Sequence, residues 1–231
     1  MSSSKSPFSP ALFDFLKELS ENNNRQWFNA NKERYHSDVR DPMLQFIVMM
    51  QAPLAELSAH IVASPKPVGG SMFRIYRDTR FSKDKTPYKT HAAAHFQHSS
   101  SGDAHSLGFY VHLGPEKSLL GCGVWRPATP SAYQIRNHIA AHPEDWRKAT
   151  TGQAFLSTTN GVEGEQLKRV PKEFGPDHPF ADDLRRKDFT ASARLSSREV
   201  TSPGFVEQAA SSYRAMAPLA AYLARALELA W

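Results

Sequence analysis

Residues 72–89 concentrate the side chains with which this chain could hold an anion. Six lysines and arginines stand there against two aspartates, so the segment carries a net charge of +4, of the +5 that the whole 231-residue chain carries. Aromatic rings lie between these charges. Guanidinium groups match the oxygens of a phosphate or a carboxylate bidentately, and ammonium groups attract the same anions. The segment therefore predicts an anion-binding site, and it specifies no reaction.

We expect the ligand-binding residues to come from this segment, joined by an asparagine and a tryptophan that helix–sheet packing can bring to the same cleft. The expected set is Arg74, Tyr76, Arg77, Asp78, Arg80, Lys83, Lys85, Lys89, Asn31 and Trp125. The segment lacks the glycines of a phosphate-binding loop. The alternative is a structural network of arginine–aspartate ion pairs with an exposed basic loop, and the sequence leaves that alternative open. No catalytic residue is assigned.

Two other groups of residues could carry chemistry. On a helix, the four-residue spacing of His91 and His95 would let both side chains bind one metal ion. On a strand the two residues would lie about 13 Å apart, at about 3.3 Å per residue, which is too far. The surrounding pattern favours a strand, so no metal or cofactor is predicted, and pairing of His91 or His95 with His112 across strands stays open. Cys122 lies between two glycines, and we interpret it as a small buried hydrophobe rather than a nucleophile.

Length and composition limit the classes of protein to which this chain can belong. The chain is 40% hydrophobic and 22% charged, which is typical of a globular protein and predicts one domain over residues 8–231 after a frayed tail at 1–7. No apolar run reaches about 18 residues, so we expect no membrane span. A single cysteine and an N-terminus without an apolar centre predict a cytoplasmic location.

The hydrophobic spacing changes along the chain, and this change predicts the fold class. Helical spacing runs from Pro10 to Ile61, where Pro53 is expected to kink a helix. After a Pro- and Gly-rich break at 64–70, short strands are predicted near 72–78, 90–97, 107–113 and 119–126, with a loop at 97–105. Helices then return, the last beginning near Ser202, while much of 151–200 gives no assignment. The prediction is α+β, with a central antiparallel sheet of about four strands and helices before and after it.

Four stretches together resemble the domain of unknown function 2461 family. They are residues 24–32 with Tyr35, residues 74–89, residues 108–110 with 121–127, and residues 167–172 with 178–179. The resemblance implies a single-domain cytoplasmic protein, and it implies no activity, cofactor or catalytic residue.

Three hypotheses of function follow from the charge and the rings. The preferred one is a protein that binds a small phosphate- or carboxylate-bearing ligand, with or without catalysis. The second is a nucleic-acid partner, in which cations contact phosphates and rings stack on bases. The third is an interaction module that docks an acidic protein surface. The oligomeric state does not follow from the sequence.

Overall fold

The structure, a computed structural model, describes residues 5–100 and 105–231. Residues 1–4 of the predicted tail and 101–104 of the predicted loop lie outside this range. Of the remaining tail, Ser6 is buried, and its hydroxyl donates a hydrogen bond to the carbonyl oxygen of Val200 at 2.7 Å.

Helices form the N-terminal part of the chain. They are α1 (Pro10–Glu21), α2 (Arg25–Ala30), α3 (Lys32–Arg34), a π-helix (Tyr35–Arg40), α4 (Asp41–Met49) and α5 (Gln51–Leu57). The predicted kink is a break between α4 and α5, because Pro53 has no N–H to donate to the carbonyl of Met49. The cap of α2 is Asn24, whose side chain accepts a hydrogen bond from the Trp27 N–H at 2.9 Å.

A four-stranded antiparallel sheet follows, and it confirms the α+β prediction. The strands lie in chain order across the sheet and are β1 (Ala92–Gln97), β2 (Gly108–Leu113), β3 (Ser118–Val124) and β4 (Phe189–Leu195). The predicted strand at 72–78 is wrong. That segment makes only isolated bridges, of Met72 with Ala94 and of Tyr76 with Tyr88. The strand that completes the sheet is β4, from the part of the chain that gave no assignment.

Further helices connect β3 to β4 and follow β4. They are α6 (Thr129–Ala141), α7 (Pro143–Thr151), α8 (Gln153–Thr158), a 3-10 turn (Lys172–Phe174), α9 (Ala181–Leu184), α10 (Ser197–Thr201) and α11 (Phe205–Ala226). Across the described ranges, no helix combines the length and the apolar character that crossing a membrane needs.

The core lies between α11 and one face of the sheet, here called the inner face. Phe109 of β2 packs on Tyr213 of α11, with ring centroids 5.0 Å apart. The hydroxyl of Tyr213 donates a hydrogen bond to the carbonyl oxygen of Tyr110 at 3.0 Å, so α11 is also fixed to the backbone of β2. Since side chains alternate along a strand, the neighbours of these inner residues point to the opposite, outer face.

Candidate functional site

The outer face of the sheet has a floor of glycines. Gly108 of β2 is the register partner of Gly123 of β3, and Gly121 lies two residues before Gly123, on the same face. All three positions lack a side chain and line the space above the sheet. A cleft of about 420 Å³ lies there.

Two of these glycines are required by the packing of the backbone. A Cβ at Gly108 would lie 2.5 Å from the carbonyl oxygen of Phe96. Gly123 has φ +125°, and its Cβ would overlap the carbonyl oxygen of Phe189. Gly121 differs, because a Cβ there would make only ordinary contacts, the nearest at 3.7 Å. The sheet would therefore accept a side chain at Gly121, although that side chain would fill the cleft.

Polar side chains from β1, β2 and β4 wall the cleft. His95 is the register partner of Tyr110, and Ser192 is the partner of Gly121, so one row of residues crosses the sheet under the cleft. The Ser192 hydroxyl donates a hydrogen bond to Oε2 of Glu163 at 2.9 Å. Glu163 is fixed in turn by its own N–H, which donates to the carbonyl oxygen of Thr190 at 2.6 Å. The cleft is also lined by Phe73, Ser106, Lys117, Leu119 and Trp125.

Tyr110 connects the cleft to a pair of histidines. Its hydroxyl lies 3.2 Å from Nδ1 of His112, and the His112 ring stacks on His91 with centroids 4.2 Å apart. Burial raises the pKa of Tyr110 to about 12, so its phenol is protonated at neutral pH. Burial, then His112 and Lys89, lower the pKa of His91 to about 4, so its imidazole is neutral there. The cross-strand pairing that the sequence left open is thus between His91 and His112, while His95 opposes Tyr110.

A strained corner fixes one end of the cleft. Arg126 follows Trp125 directly and has φ +48°, a left-handed conformation that costs a non-glycine residue about 1–2 kcal/mol. The buried carboxylate of Asp188 holds this corner. It accepts hydrogen bonds from the N–H of Arg126 at 2.7 Å and from the N–H of Glu165 at 3.0 Å. Trp125 is half exposed, and its ring stacks on His105 at 5.3 Å.

The basic segment is an extended arm, called here the basic arm (residues 72–89). Its root pairs with the free edge of β1, where the Phe73 N–H donates to the carbonyl oxygen of Ala93 at 2.9 Å. The Phe73 ring lines the cleft and meets Tyr110 edge to face at 6.2 Å. Lys89 lies above the same ring, its Nζ 5.3 Å from the ring centroid, and it donates to the carbonyl oxygen of Arg74 at 2.9 Å. The root of the basic arm therefore borders the cleft.

The far part of the basic arm carries two ion pairs. Arg80 forms an ion pair with Asp78, with Nη2 2.7 Å from Oδ2, and the hydrogen bonds from Arg80 lower the pKa of Asp78 to about 2. Arg77 contacts both Asp84 and Thr86. The N–H of Thr86, and then the side chain of Arg77, lower the pKa of Asp84 to about 2. Arginine–aspartate pairs of this kind belong to the structural alternative, and the choice between that alternative and a binding role stays a prediction.

A known protein family matches the part of the chain that forms the sheet, the basic arm and the cleft. The family model described as conserved hypothetical protein (DUF2461) matches residues 11–222, which include all four strands, the basic arm and the residues that line the cleft. The chain belongs to the DUF2461 family. Neither a curated protein nor a solved structure matches it.

The predicted ligand residues of this DUF2461 chain are divided between several places. Trp125 lines the cleft, and Lys89 lies beside it above Phe73. Asn31 lies among the N-terminal helices, where its Nδ2 donates to the carbonyl oxygen of Trp27 at 2.9 Å and its Oδ1 accepts from Arg34 at 3.1 Å. The others lie on the basic arm outside the lining of the cleft: Arg74, Tyr76, Arg77, Asp78, Arg80, Lys83 and Lys85. Their role in binding stays a prediction.

Most residues of the cleft were not predicted as a site. One signal was available for its floor, since Gly121 and Gly123 share a face of any strand that contains them both. His95 was considered only as a metal ligand, and Tyr110 lay within the strand predicted at 107–113. Ser192 and Glu163 gave no signal, because β4 was not recognised.

Cys122 and the histidines were the other residues considered for chemistry. The Cys122 thiol lies against α11, with Sγ 3.8 Å from the carbonyl oxygen of Met216, and burial raises its pKa. It is a buried hydrophobe, as the sequence indicated. Within residues 5–100 and 105–231, no group of three or more histidine, cysteine, aspartate and glutamate side chains is arranged to hold a metal ion.

Proposed function

We propose that this DUF2461 protein binds a small molecule with a flat ring and an anionic group in the cleft on the outer face of the sheet. The observation that carries the proposal is the glycine floor. A space of about 420 Å³ lined by these glycines has the size and the mixed lining that are typical of small-molecule sites. No reaction is included in the proposal.

The ring is expected to lie flat on the floor. Gly121 presents no side chain and has no atom within 3.7 Å of the position of a Cβ, so a planar group can approach the sheet closely there, with Gly108 and Gly123 lining the cleft beside it. Phe73 and Tyr110 stand on one side of this floor, and Trp125 stands at its end. Aromatic side chains favour offset or edge contacts with another ring, so these three residues supply the apolar part of the site.

Two lysines at the cleft, one of them on the basic arm, support the anionic group. Lys117 lines the cleft, and Lys89 lies above Phe73, which also lines it. Arg77 and Arg80 support the proposal less, because Asp84 and Asp78 already accept their hydrogen bonds. The anion of the preferred hypothesis is therefore placed, in our proposal, near Lys117 and Lys89 rather than near the paired arginines.

The opposite wall favours a ligand that also carries an N–H or O–H donor. Glu163 accepts a hydrogen bond from Ser192 through Oε2 only. Its Oε1 accepts none from the part of the chain that the structure describes. A carboxylate oxygen in this position can accept from a ligand, and hydrogen bonds to charged groups are the stronger ones.

The experiment is a binding screen that is read out by NMR signals from the glycines under the cleft. Flat aromatic carboxylates and phosphates are compared with uncharged amides and alcohols built on the same rings. Backbone amide NMR signals of Gly108, Gly121 and Gly123 report occupancy. We expect the anionic compounds to shift these signals and the uncharged partners to bind more weakly.

Two variants test the position of the ligand. Gly121→Val adds a side chain whose Cβ meets no atom closer than 3.7 Å, so we expect it to keep the fold and abolish binding. Lys117→Gln should weaken the anionic compounds by roughly tenfold, while Arg194→Gln, on the same face but outside the cleft lining, serves as its charge-matched control. Unchanged binding by Gly121→Val, or no shift with any compound, would reject the proposal.

A cytoplasmic location stays part of the proposal. Cys122 is a free buried thiol, and a chain with a single cysteine needs no oxidising compartment to fold.

A further inference from the structure

Phe81 lies in water near the tip of the basic arm. Its exposed fraction is 95%, above that of every other large hydrophobic side chain in the described ranges, the next being Val68 at 77%. Burying a phenylalanine ordinarily contributes about 1.5–3 kcal/mol, and this contribution is not realised within the chain. A single exposed ring is common on protein surfaces, so a partner is indicated only by the shape and charge of the tip around Phe81.

The tip that displays Phe81 has a defined shape. Arg77 and Pro87 face each other across the arm, with the Arg77 N–H donating to the Pro87 carbonyl oxygen at 2.9 Å. Lys85 also bridges the turn, because its Nζ donates a hydrogen bond to the carbonyl oxygen of Thr79 at 2.8 Å. Arg77 also contacts Asp84 and Thr86 across the same turn. The exposure of Phe81 thus belongs to a turn that is closed by several hydrogen bonds.

Positive charge surrounds the ring. The Arg80 guanidinium carbon lies 5.8 Å from the centroid of Phe81. Lys83 and Lys85 are exposed, and Lys83 has no ion pair with any residue that the structure describes. Asp84 pairs with Arg77 and Asp78 pairs with Arg80, so these four charges cancel and the excess positive charge at the tip is that of Lys83 and Lys85. The chemistry that complements this surface is a chain of negative charges.

A second exposed ring lies on the same arm. Tyr76 is 58% exposed, and its ring lies 5.5 Å from that of Tyr88 on the returning limb. Rings and cations therefore alternate along the arm, from Tyr76 through Arg80 and Phe81 to Lys83. Single-stranded nucleic acid has the matching alternation, because each nucleotide carries a phosphate and a base with an open face. A duplex keeps its bases stacked inside, and an acidic peptide supplies charge without a regular series of rings.

We propose that the tip of the basic arm is a binding site for single-stranded nucleic acid, in which a base stacks on Phe81 and phosphates contact Lys83 and Lys85. This site is separate from the cleft, since none of these three residues lines it. The two proposals can therefore fail independently.

Fluorescence anisotropy with labelled oligonucleotides tests this site. The probes are a twelve-residue oligo(dT), an oligo(rU) of equal length, a duplex of the same length, and heparin as a polyanion without bases. In about 50 mM salt we expect the single strands to bind, with affinity that falls as salt rises. Phe81→Ala should weaken single-strand binding by roughly 5- to 150-fold and leave heparin binding unchanged.

Matched variants separate stacking from charge. Lys83→Gln should weaken both the oligonucleotides and heparin, and Val68→Ala, which removes another exposed apolar side chain away from the arm, should change neither. Phe81→Trp should retain or strengthen single-strand binding, because indole stacks well on bases. Since Phe81 is exposed, unchanged thermal unfolding of the variants is expected and is verified by circular dichroism.

Three results would overturn the proposal. One is no binding of either single strand by the wild-type protein in 50 mM salt. Another is equal affinity of Phe81→Ala and wild type for the oligonucleotides. The third is competition by poly-glutamate as efficient as competition by unlabelled oligo(dT), which would assign the tip to acidic protein surfaces instead.

Discussion

Asn23 holds Tyr88 by two hydrogen bonds, although the two residues are 65 positions apart in the chain. Its Nδ2 donates to the carbonyl oxygen of Tyr88 at 2.9 Å, and its Oδ1 accepts from the Tyr88 N–H at 3.0 Å. The Tyr88 ring stacks on Phe28 of α2 at 4.1 Å. A side-chain amide thus binds the backbone of the basic arm as a neighbouring strand would. The returning limb of the arm is fixed to the N-terminal helices in this way.

Asn23→Ala should therefore destabilise the protein and loosen the basic arm. The substitution removes both hydrogen bonds and leaves a buried N–H and a buried carbonyl unpaired, which costs about 1–3 kcal/mol. Urea unfolding measures the loss, and hydrogen exchange at the Tyr88 amide locates it. Asn22→Ala is the control, because Asn22 makes one local bond to the carbonyl oxygen of Glu18. Equal losses for the two variants would contradict this role of Asn23.

The His91–His112 stack predicts a loss of stability in acid. The pKa of His91 is lowered to about 4, by burial first and then by His112 and Lys89. A folded-state pKa below the unfolded value means that the unfolded chain binds protons first as the pH falls. This contribution to stability is complete above about pH 6.5 and is lost progressively as the pH falls through about 4.

His91→Phe is the variant that isolates this titration. A phenyl ring keeps an aromatic stack on His112 and cannot be protonated. We expect the difference in Tm between wild type and variant to shift in favour of the variant as the pH is lowered from 7.5 to 4.5. Parallel pH profiles of the two proteins would show that His91 does not titrate in this way.

The sequence predicted the fold class because most elements follow their hydrophobic period. Phe109, Val111 and Leu113 alternate with polar neighbours, so β2 was evident. The pattern failed for β4, whose inner residues include the small Ala191 and Ala193, which give a weak alternation. It also failed for 72–78, whose composition suits a strand. After its bridge at Met72 the chain leaves the sheet and pairs with itself instead.

The cleft was harder to predict than the fold, because its floor consists of glycines, which have no side chain. Gly108 and Gly123 come together only through the register of β2 with β3. Ser192 reaches Glu163 only after β4 has joined the edge of β3 and residue 163 has bridged Thr190. Such long-range register leaves no local pattern in one sequence. The basic arm was evident because its residues are contiguous, whereas the ion pairs within it depend on the turn that the arm makes.

Asp188→Asn should destabilise the corner at Trp125. One carboxylate accepts the N–H groups of both Arg126 and Glu165, and an amide has a single oxygen to offer. At least one of these two part-buried hydrogen bonds to a charged acceptor is then lost, which costs about 1.5–3 kcal/mol. Chemical unfolding measures this loss, and amide exchange at Arg126 and Glu165 should accelerate.

The control for Asp188→Asn is Asp182→Asn. Asp182 is exposed, and it pairs with Arg185 at 3.0 Å on the surface, so its loss should cost less than about 1 kcal/mol. If the two variants unfold at the same urea concentration, Asp188 does not hold the corner as proposed.

The floor of the cleft predicts opposite effects for the same substitution at two glycines. Gly108→Ala would place a methyl group 2.5 Å from the carbonyl oxygen of Phe96 and from Nε2 of His95, and the backbone oxygen cannot move aside. Overpacking of this kind costs about 1–3 kcal/mol. Gly121→Ala meets only contacts at 3.7 Å, so it should stabilise the protein by about 0.5–1 kcal/mol through the reduced freedom of the unfolded chain. Urea unfolding of both variants decides the matter. A loss at Gly121 equal to that at Gly108 would mean that the backbone needs both glycines, and that Gly121 is not a position kept open for a ligand.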